Sequence, residues 1–339
     1  MYKKLLVNTL FICGLGLASV VHAIEQVNLY SVRKEVLIKP ILDEFTKQTG
    51  IKVNIIAGKA DNLFKQLKSE GQHSPADILL TTDVSRLHRA KEANLLQPIK
   101  STILNAAVPE SYRDPDNQWY GLSLRARVII YAKDRIKPEW LSSYEDLQHK
   151  KWYKRVCIRS ASNIYNQSLV ASIIAANGKE KAEMWVHNFV KNLANIPAGG
   201  DQTQIKAVAV GLCDVAVVNT YYLGSMLNAD QRQRSMAQKI AIFWPNQANR
   251  GAHVNISGAG ITQSAKNKAN AIKLLEFLVS KSAQKWYAEV NYEFPIREDL
   301  PSCNRLQTWG AFKADTIELS KLGELNSVAL NLMNQAGWY

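Results

Sequence analysis

The chain has 339 residues, 47% of them apolar and 21% charged, with a formal net charge of +13. Ordinary globular usage without low-complexity stretches excludes a disordered, collagen-like or wholly membrane-embedded protein. The length suggests about two domains and is ample for a sizeable core without metal or disulfide staples.

Residues 1–23 read as an export signal. Lys3 and Lys4 open it, an apolar stretch runs over Leu5–Val21, and Val21-His22-Ala23 offers a small-residue cleavage site. The apolar stretch falls short of the roughly 20 residues a membrane span wants, and Cys13 lacks the small residues that precede a lipid-anchor cysteine. Cleavage after Ala23 and a mature protein soluble outside the cytoplasm are expected. Removing two leader lysines from the +13 leaves +11. The remaining Lys and Arg are scattered, with no aromatic-interleaved basic tract, so a solvated basic surface is expected rather than nucleic-acid binding.

Short strand-like runs then alternate with amphipathic helices, the pattern of α/β packing. "VNLYS" is a strand leading into a helix over 33–50, with Leu37, Ile41 and Phe45 at four-residue spacing and Gly50 at its end. "IKVNIIAG" is a second strand, followed by a helix from Asp61 to about Gly71. "ADILLTTD" is a third, with Asp83 placed to cap the next helix. "WYGLSLRARVIIYAKD" is long and β-rich and is expected to cross between lobes. "RVCIRS" starts a second unit, followed by the helix "NIYNQSLVASIIAANG", a helix at "GGDQTQIKAVAVG" capped by Asp201, the strand "DVAVVN" and a helix from "TYYLGSM". "VNISGAGIT" returns to the first lobe, and "ANAIKLLEFLVSKSAQKWYAEV" reads as one amphipathic helix. The expected division is 24–124 plus 249–299 for the first lobe and 125–248 plus 300–339 for the second. A ligand would sit in the cleft between them, beyond the carboxyl ends of the strands.

In an oxidising compartment Cys157 and Cys213, each beside a buried-looking strand, could form a bridge and leave Cys303 over; the alternative is three free thiols. No G-x-S-x-G, H-E-x-x-H, P-loop or C-x-x-C motif occurs. A hydrolase with a dispersed Ser/His/Asp set would have to use the neighbourhood of His253 and Ser257.

The tyrosines carry more. Tyr221 and Tyr222 directly follow "VAVVNT", and Tyr165 follows "CIRSASNI", both at strand-to-helix junctions on what should be one sheet edge. Three phenolates are hard anionic donors that together neutralise a trivalent cation, with Fe(III) the natural candidate. A free phenol titrates near 10, so binding displaces protons and should weaken in acid. Adjacent helix N-termini favour negative charge there. Arg33, just after the first strand, could hold a small anion completing the coordination.

The ordered set "VNLYSVRKE", "FTKQTGIKVN", "SPADILLTTD", "GLSLRARVIIYAKD", "RSASNIYNQSLVASIIAANG", "CDVAVVNTYYLG", "SGAGIT" and "YEFPIR" resembles the periplasmic ferric-iron-binding proteins of bacterial ABC transporters, the FbpA/FutA-like group. The resemblance runs from about Val27 to Arg297. It implies a two-lobed periplasmic-binding-protein fold of type II, and a monomeric, non-enzymatic carrier that delivers Fe(III) to an inner-membrane permease. It places the family's Tyr-Tyr pair on Tyr221 and Tyr222 and a further ligand on Tyr165. Many members carry a His or His-Tyr pair after the first strand; here Lys34 and Glu35 stand there. The likeness is therefore to members that use tyrosines from one lobe with carbonate or bicarbonate as synergistic anion. Arg33, Arg125 and Arg127 are the anion candidates, with Ser123 and Gln204 as further donors and Glu35 as an outside candidate for the metal. The same clamp holding bare phosphate or sulfate is the rival reading.

Overall fold

The computed structural model describes residues 25–300 and 303–339, so the expected leader and its cleavage site at Ala23 lie outside the described residues. The strands are β1 (Gln26–Ser31), β2 (Lys52–Ala57), β3 (Ile78–Thr81), β4 (Leu96–Gln97), β5 (Tyr120–Ala132), β6 (Val156–Cys157), β7 (Val215–Asn219), β8 (Ile240–Phe243) and β9 (Val254–Thr262). Helices α1 (Lys39–Thr49), α2 (Ala60–Glu70), α3 (Val84–Glu92) and α4 (Thr102–Ala107) come before β5. Then follow α5 (Ile164–Asn177), α6 (Lys179–Lys191), α7 (Asp201–Ala209), α8 (Thr220–Leu227) and α9 (Gln231–Gln238). After β9 come α10 (Lys268–Leu278), α11 (Lys281–Val290), α12 (Asn304–Gln307), α13 (Leu319–Glu324) and α14 (Asn326–Gln335).

The strand order is β2-β1-β3-β9-β5-β7-β6. β1 runs parallel to β2 and β3, while β9 is antiparallel to both β3 and β5. β5 serves two sheets. Its first half, to Ala126, pairs with β9; Arg127–Tyr131 pair with β7, and its end pairs with β8. β7 and β9 are buried at every position, which their mostly small and apolar residues allow. The switch of sheets halfway along β5 is the crossover expected of "WYGLSLRARVIIYAKD".

Several local expectations are corrected. The helix over 33–50 begins only at Lys39, because Pro40 fixes the first turn; a separate 3-10 turn holds Glu35–Leu37. Leu37 is therefore 42% exposed, whereas Ile41 and Phe45 are buried. Gly50, at φ 75°, ends the helix in the left-handed region as a C-cap should. Asp201 is the first residue of α7 rather than its cap, which is Gly200, and its carboxylate turns inward to two arginines. The segment expected as one helix over 269–290 is two, because the Ser280 hydroxyl accepts from Ala283 N and starts α11 anew.

Cys157 and Cys213 are bonded, with their Cα atoms 5.9 Å apart, and tie β6 to the lead-in of β7; Cys303 is free. The C-terminal segment touches both sides of the molecule. α13 packs on α3, where Gly323 lies so close to His88 that a Cβ would stand 2.4 Å from its side chain. α14 packs on α5 and α6, and the buried Trp338 lies 5.0 Å from the Phe189 ring and donates to Arg159 O at 2.8 Å.

Candidate metal centre

Two helix starts build one wall of the cleft. β6 and β7 are parallel neighbours, with Val156 opposite Val215, so the helices that follow them begin on the same edge. α5 starts where the Asn163 side chain accepts from Tyr165 N at 3.2 Å, which sets Tyr165 in the first turn. α8 starts directly from β7 with Tyr221 and Tyr222 in its first turn, anchored beneath by Leu223 and Met226 in an apolar cluster with Ile205 and Val218. Both stretches thus deliver phenols rather than backbone to the cleft.

The phenols meet. Tyr221 Oη donates to Tyr165 Oη at 3.4 Å, and the Tyr221 and Tyr222 rings lie 4.3 Å apart. Oxygens sharing one small cation about 2 Å away sit roughly 3 Å apart, so Tyr165 and Tyr221 are near bridging distance already. Asn219 Nδ2 donates to Tyr221 Oη at 3.4 Å, and Tyr165 Oη lies 3.5 Å from Thr82 Oγ1 on the facing side. The cleft of about 430 Å³ takes in all three tyrosines together with Arg33, Lys34, Thr82, Arg125, Gln202, Ser257 and Glu293. A wider groove of about 1000 Å³ beyond Tyr292, bordered by Lys281, Lys285 and Glu289, contains none of the three.

Positive charge surrounds the phenols. Two guanidinium carbons lie near the Tyr165 ring, Arg125 at 4.9 Å and Arg159 at 5.8 Å from its centroid. Burial, reinforced by Tyr165 and Asp201, pushes Tyr222 up to about 12; burial and the neighbouring phenols push Tyr221 well above the usual phenol value. Arg159 opposes this at Tyr222, and Arg125 opposes it at Tyr221. In the protein alone both therefore carry their protons at neutral pH, and a bound cation must displace them.

The other candidates divide. Ser123, Arg125 and Arg127 occupy alternate positions on β5 and so share a face. Arg125 reaches the cleft, bonded to Thr82 O and 3.5 Å from Asp83 Oδ2. Arg33 reaches it too and pairs with Glu293. Arg127 is spent in the interior on Asp201 at 3.2 Å, Asn219 at 3.1 Å and Asn166; it steadies Asn219, which in turn steadies Tyr221. Ser123 donates to Glu293. Gln204 is a correction: its Nε2 is bonded to Ala198 O at 2.6 Å, away from the cleft, and Gln202 is the glutamine that lines it. Glu35 is exposed on its 3-10 turn and is not part of the cleft wall. His253 is buried among Arg250, Arg127 and Arg125, which with burial hold it well below its usual value, while Ser257 Oγ accepts from Arg125 at 3.4 Å. A serine–histidine pair for hydrolysis is not assembled there.

Glu293 and Arg159 were passed over in the sequence although both stand in motifs singled out, "YEFPIR" and "RVCIRS". Their partners lie 260 residues away at Arg33 and 42 residues away at Asp201, beyond the reach of any local pattern.

Residues 73–314 match the bacterial extracellular solute-binding protein family. Iron uptake protein A1 of Synechocystis sp. is 48% identical, over 93% of this chain and 88% of the relative. Among solved structures, the Trichodesmium protein IdiA (FutA) in complex with iron and citrate ligands is 47% identical with a TM-score of 0.89, covering 93% of this chain and 100% of that one. The apo ferric ion-binding protein A of Pasteurella haemolytica is 43% identical with a TM-score of 0.88, covering 93% and 98%.

Proposed function

The chain belongs to the bacterial extracellular solute-binding proteins, has their two-lobed type II fold and is a transport protein rather than an enzyme; on that premise we propose that its cargo is Fe(III), held by Tyr165, Tyr221 and Tyr222. The observation that carries this reading is the convergence of three phenols from two helix starts in one cleft. Three phenolates balance the ion's charge, and positive charge opposes the effect of burial at two of them, Arg125 at Tyr221 and Arg159 at Tyr222.

A synergistic anion, carbonate in the first instance, completes the coordination from the side of Arg33 and Arg125. Ser123 supports that side through Glu293, while Arg127 braces the tyrosine wall through Asn219. The Trichodesmium relative holds iron with citrate, so citrate is the second anion to test. The lobes, 24–124 with 249–299 and 125–248 with 300–339, close about β5 and β9, and the loaded protein works as a periplasmic monomer that hands iron to an inner-membrane ABC permease.

A bare phosphate or sulfate clamp has less support. Three clustered phenols add nothing to the binding of a bare anion and would stand unused in the cleft. Titration calorimetry separates the two readings. Ferric iron presented with bicarbonate should give saturable binding near one ion per chain, and phosphate or sulfate alone should give none. Tight binding of the bare oxyanion without iron would overturn the assignment.

A further inference from the structure

On the Arg33 side of the cleft, one guanidinium and one buried hydroxyl behind it are both bonded to a single carboxylate. Arg33 Nη2 pairs with Glu293 Oε1, and Ser123 Oγ donates to Glu293 Oε2. Arg33 is 5% and Glu293 3% exposed, so water screens the pair little. Glu293 nevertheless borders the same cleft as the three tyrosines. A carboxylate and a carbonate offer a guanidinium the same thing: a planar, negative group with paired oxygens.

We infer that Glu293 is the internal occupant of the anion site: an external oxyanion reaches Arg33 only by displacing the Glu293 carboxylate, so Glu293 sets how much free anion iron capture requires. This rests on the ferric reading above. Two buried charges that lose each other are strongly destabilised unless each finds a replacement. Arg33 would find it in the arriving anion. For the released carboxylate a donor is in place: the buried hydroxyl of Tyr287 can only accept from Arg33, whose guanidinium carbon lies 5.6 Å from its ring centroid, so its own O–H remains to be given. A fixed ion pair that merely braces the segment after α11 would have no such exchange and no effect on anion demand.

The test is a bicarbonate titration at fixed pH and fixed iron supply, followed by the phenolate-to-iron absorbance, in the wild type and in Glu293→Gln. The half-saturating bicarbonate concentration should fall by about tenfold or more in the variant, the scale of a hydrogen bond to a charged group. An unchanged or higher requirement overturns the proposal. Glu293→Asp, whose shorter arm cannot span both Arg33 and Ser123, should shift the requirement in the same direction and serves if the Gln variant does not fold. Calorimetry of bicarbonate with the metal-free proteins gives a reading independent of iron: tighter binding to the variant supports the exchange, and equal binding contradicts it. If the wild type takes up no iron, the ferric reading fails while this second measurement still judges Glu293.

Discussion

At Tyr222 a proton is held by burial and by neighbouring negative charge up to about 12, and burial and two adjacent phenols push Tyr221 well above the usual phenol value. A raised phenol value favours the neutral form, so each of these groups must lose a proton when it binds a cation near neutral pH. Every proton displaced makes the apparent affinity fall about tenfold for each unit of acidification. Between pH 5 and pH 8, at constant bicarbonate, the logarithm of the iron affinity should rise with pH at a slope of at least two; a slope below one would contradict phenolate binding. The junction tyrosines were legible because a strand run ending in Tyr-Tyr places both in a helix's first turn. Asp201 was legible as a helix-start residue but not as the acid shared by Arg127 and Arg159, since helix signals say nothing about which way an inward carboxylate turns.

At the scale of elements, short β-rich runs between turn and cap residues located β1 to β3, β5, β7 and β9, and the largely apolar run after "RVCIRS" located α5. Periodicity failed where a single residue overrides the pattern: Pro40 delays α1, and Ser280 splits α10 from α11. β4 is only two residues long, too short for alternation to register. The tail helices α13 and α14 draw their stability from packing on α3, α5 and α6. Gly323→Ala tests that docking. The new methyl would meet His88 at 2.4 Å, and overpacking of this kind costs about 1–3 kcal/mol. The melting temperature should drop by several degrees while the iron-loaded spectrum stays unchanged. An unaltered melting temperature would mean that α13 is not firmly seated on α3.

For the molecule as a whole, the two lobes were legible from alternating strands and helices around one long crossover. The reach of the C-terminal segment across both sides was not, because its partners at His88 and Phe189 are distant in sequence. All three phenols belong to α5 and α8, so on the proposed reading iron is captured before the facing wall arrives, and closure depends on the weaker contacts of the anion, Arg33 and Thr82. Small-angle scattering of the loaded protein should therefore fit a mixture of open and compact forms; a single compact population would argue against one-sided capture. The most direct test of the central claim is the visible absorption spectrum of iron-loaded protein, read beside its metal content, for the wild type and Tyr222→Phe. The wild type should show a phenolate-to-iron charge-transfer band at one iron per chain. The variant should fold normally and lose much of that band, with affinity down at least the 10–100-fold seen for lost supporting groups around a metal. A colourless iron complex, or a Tyr222→Phe spectrum and affinity equal to the wild type, would contradict the account.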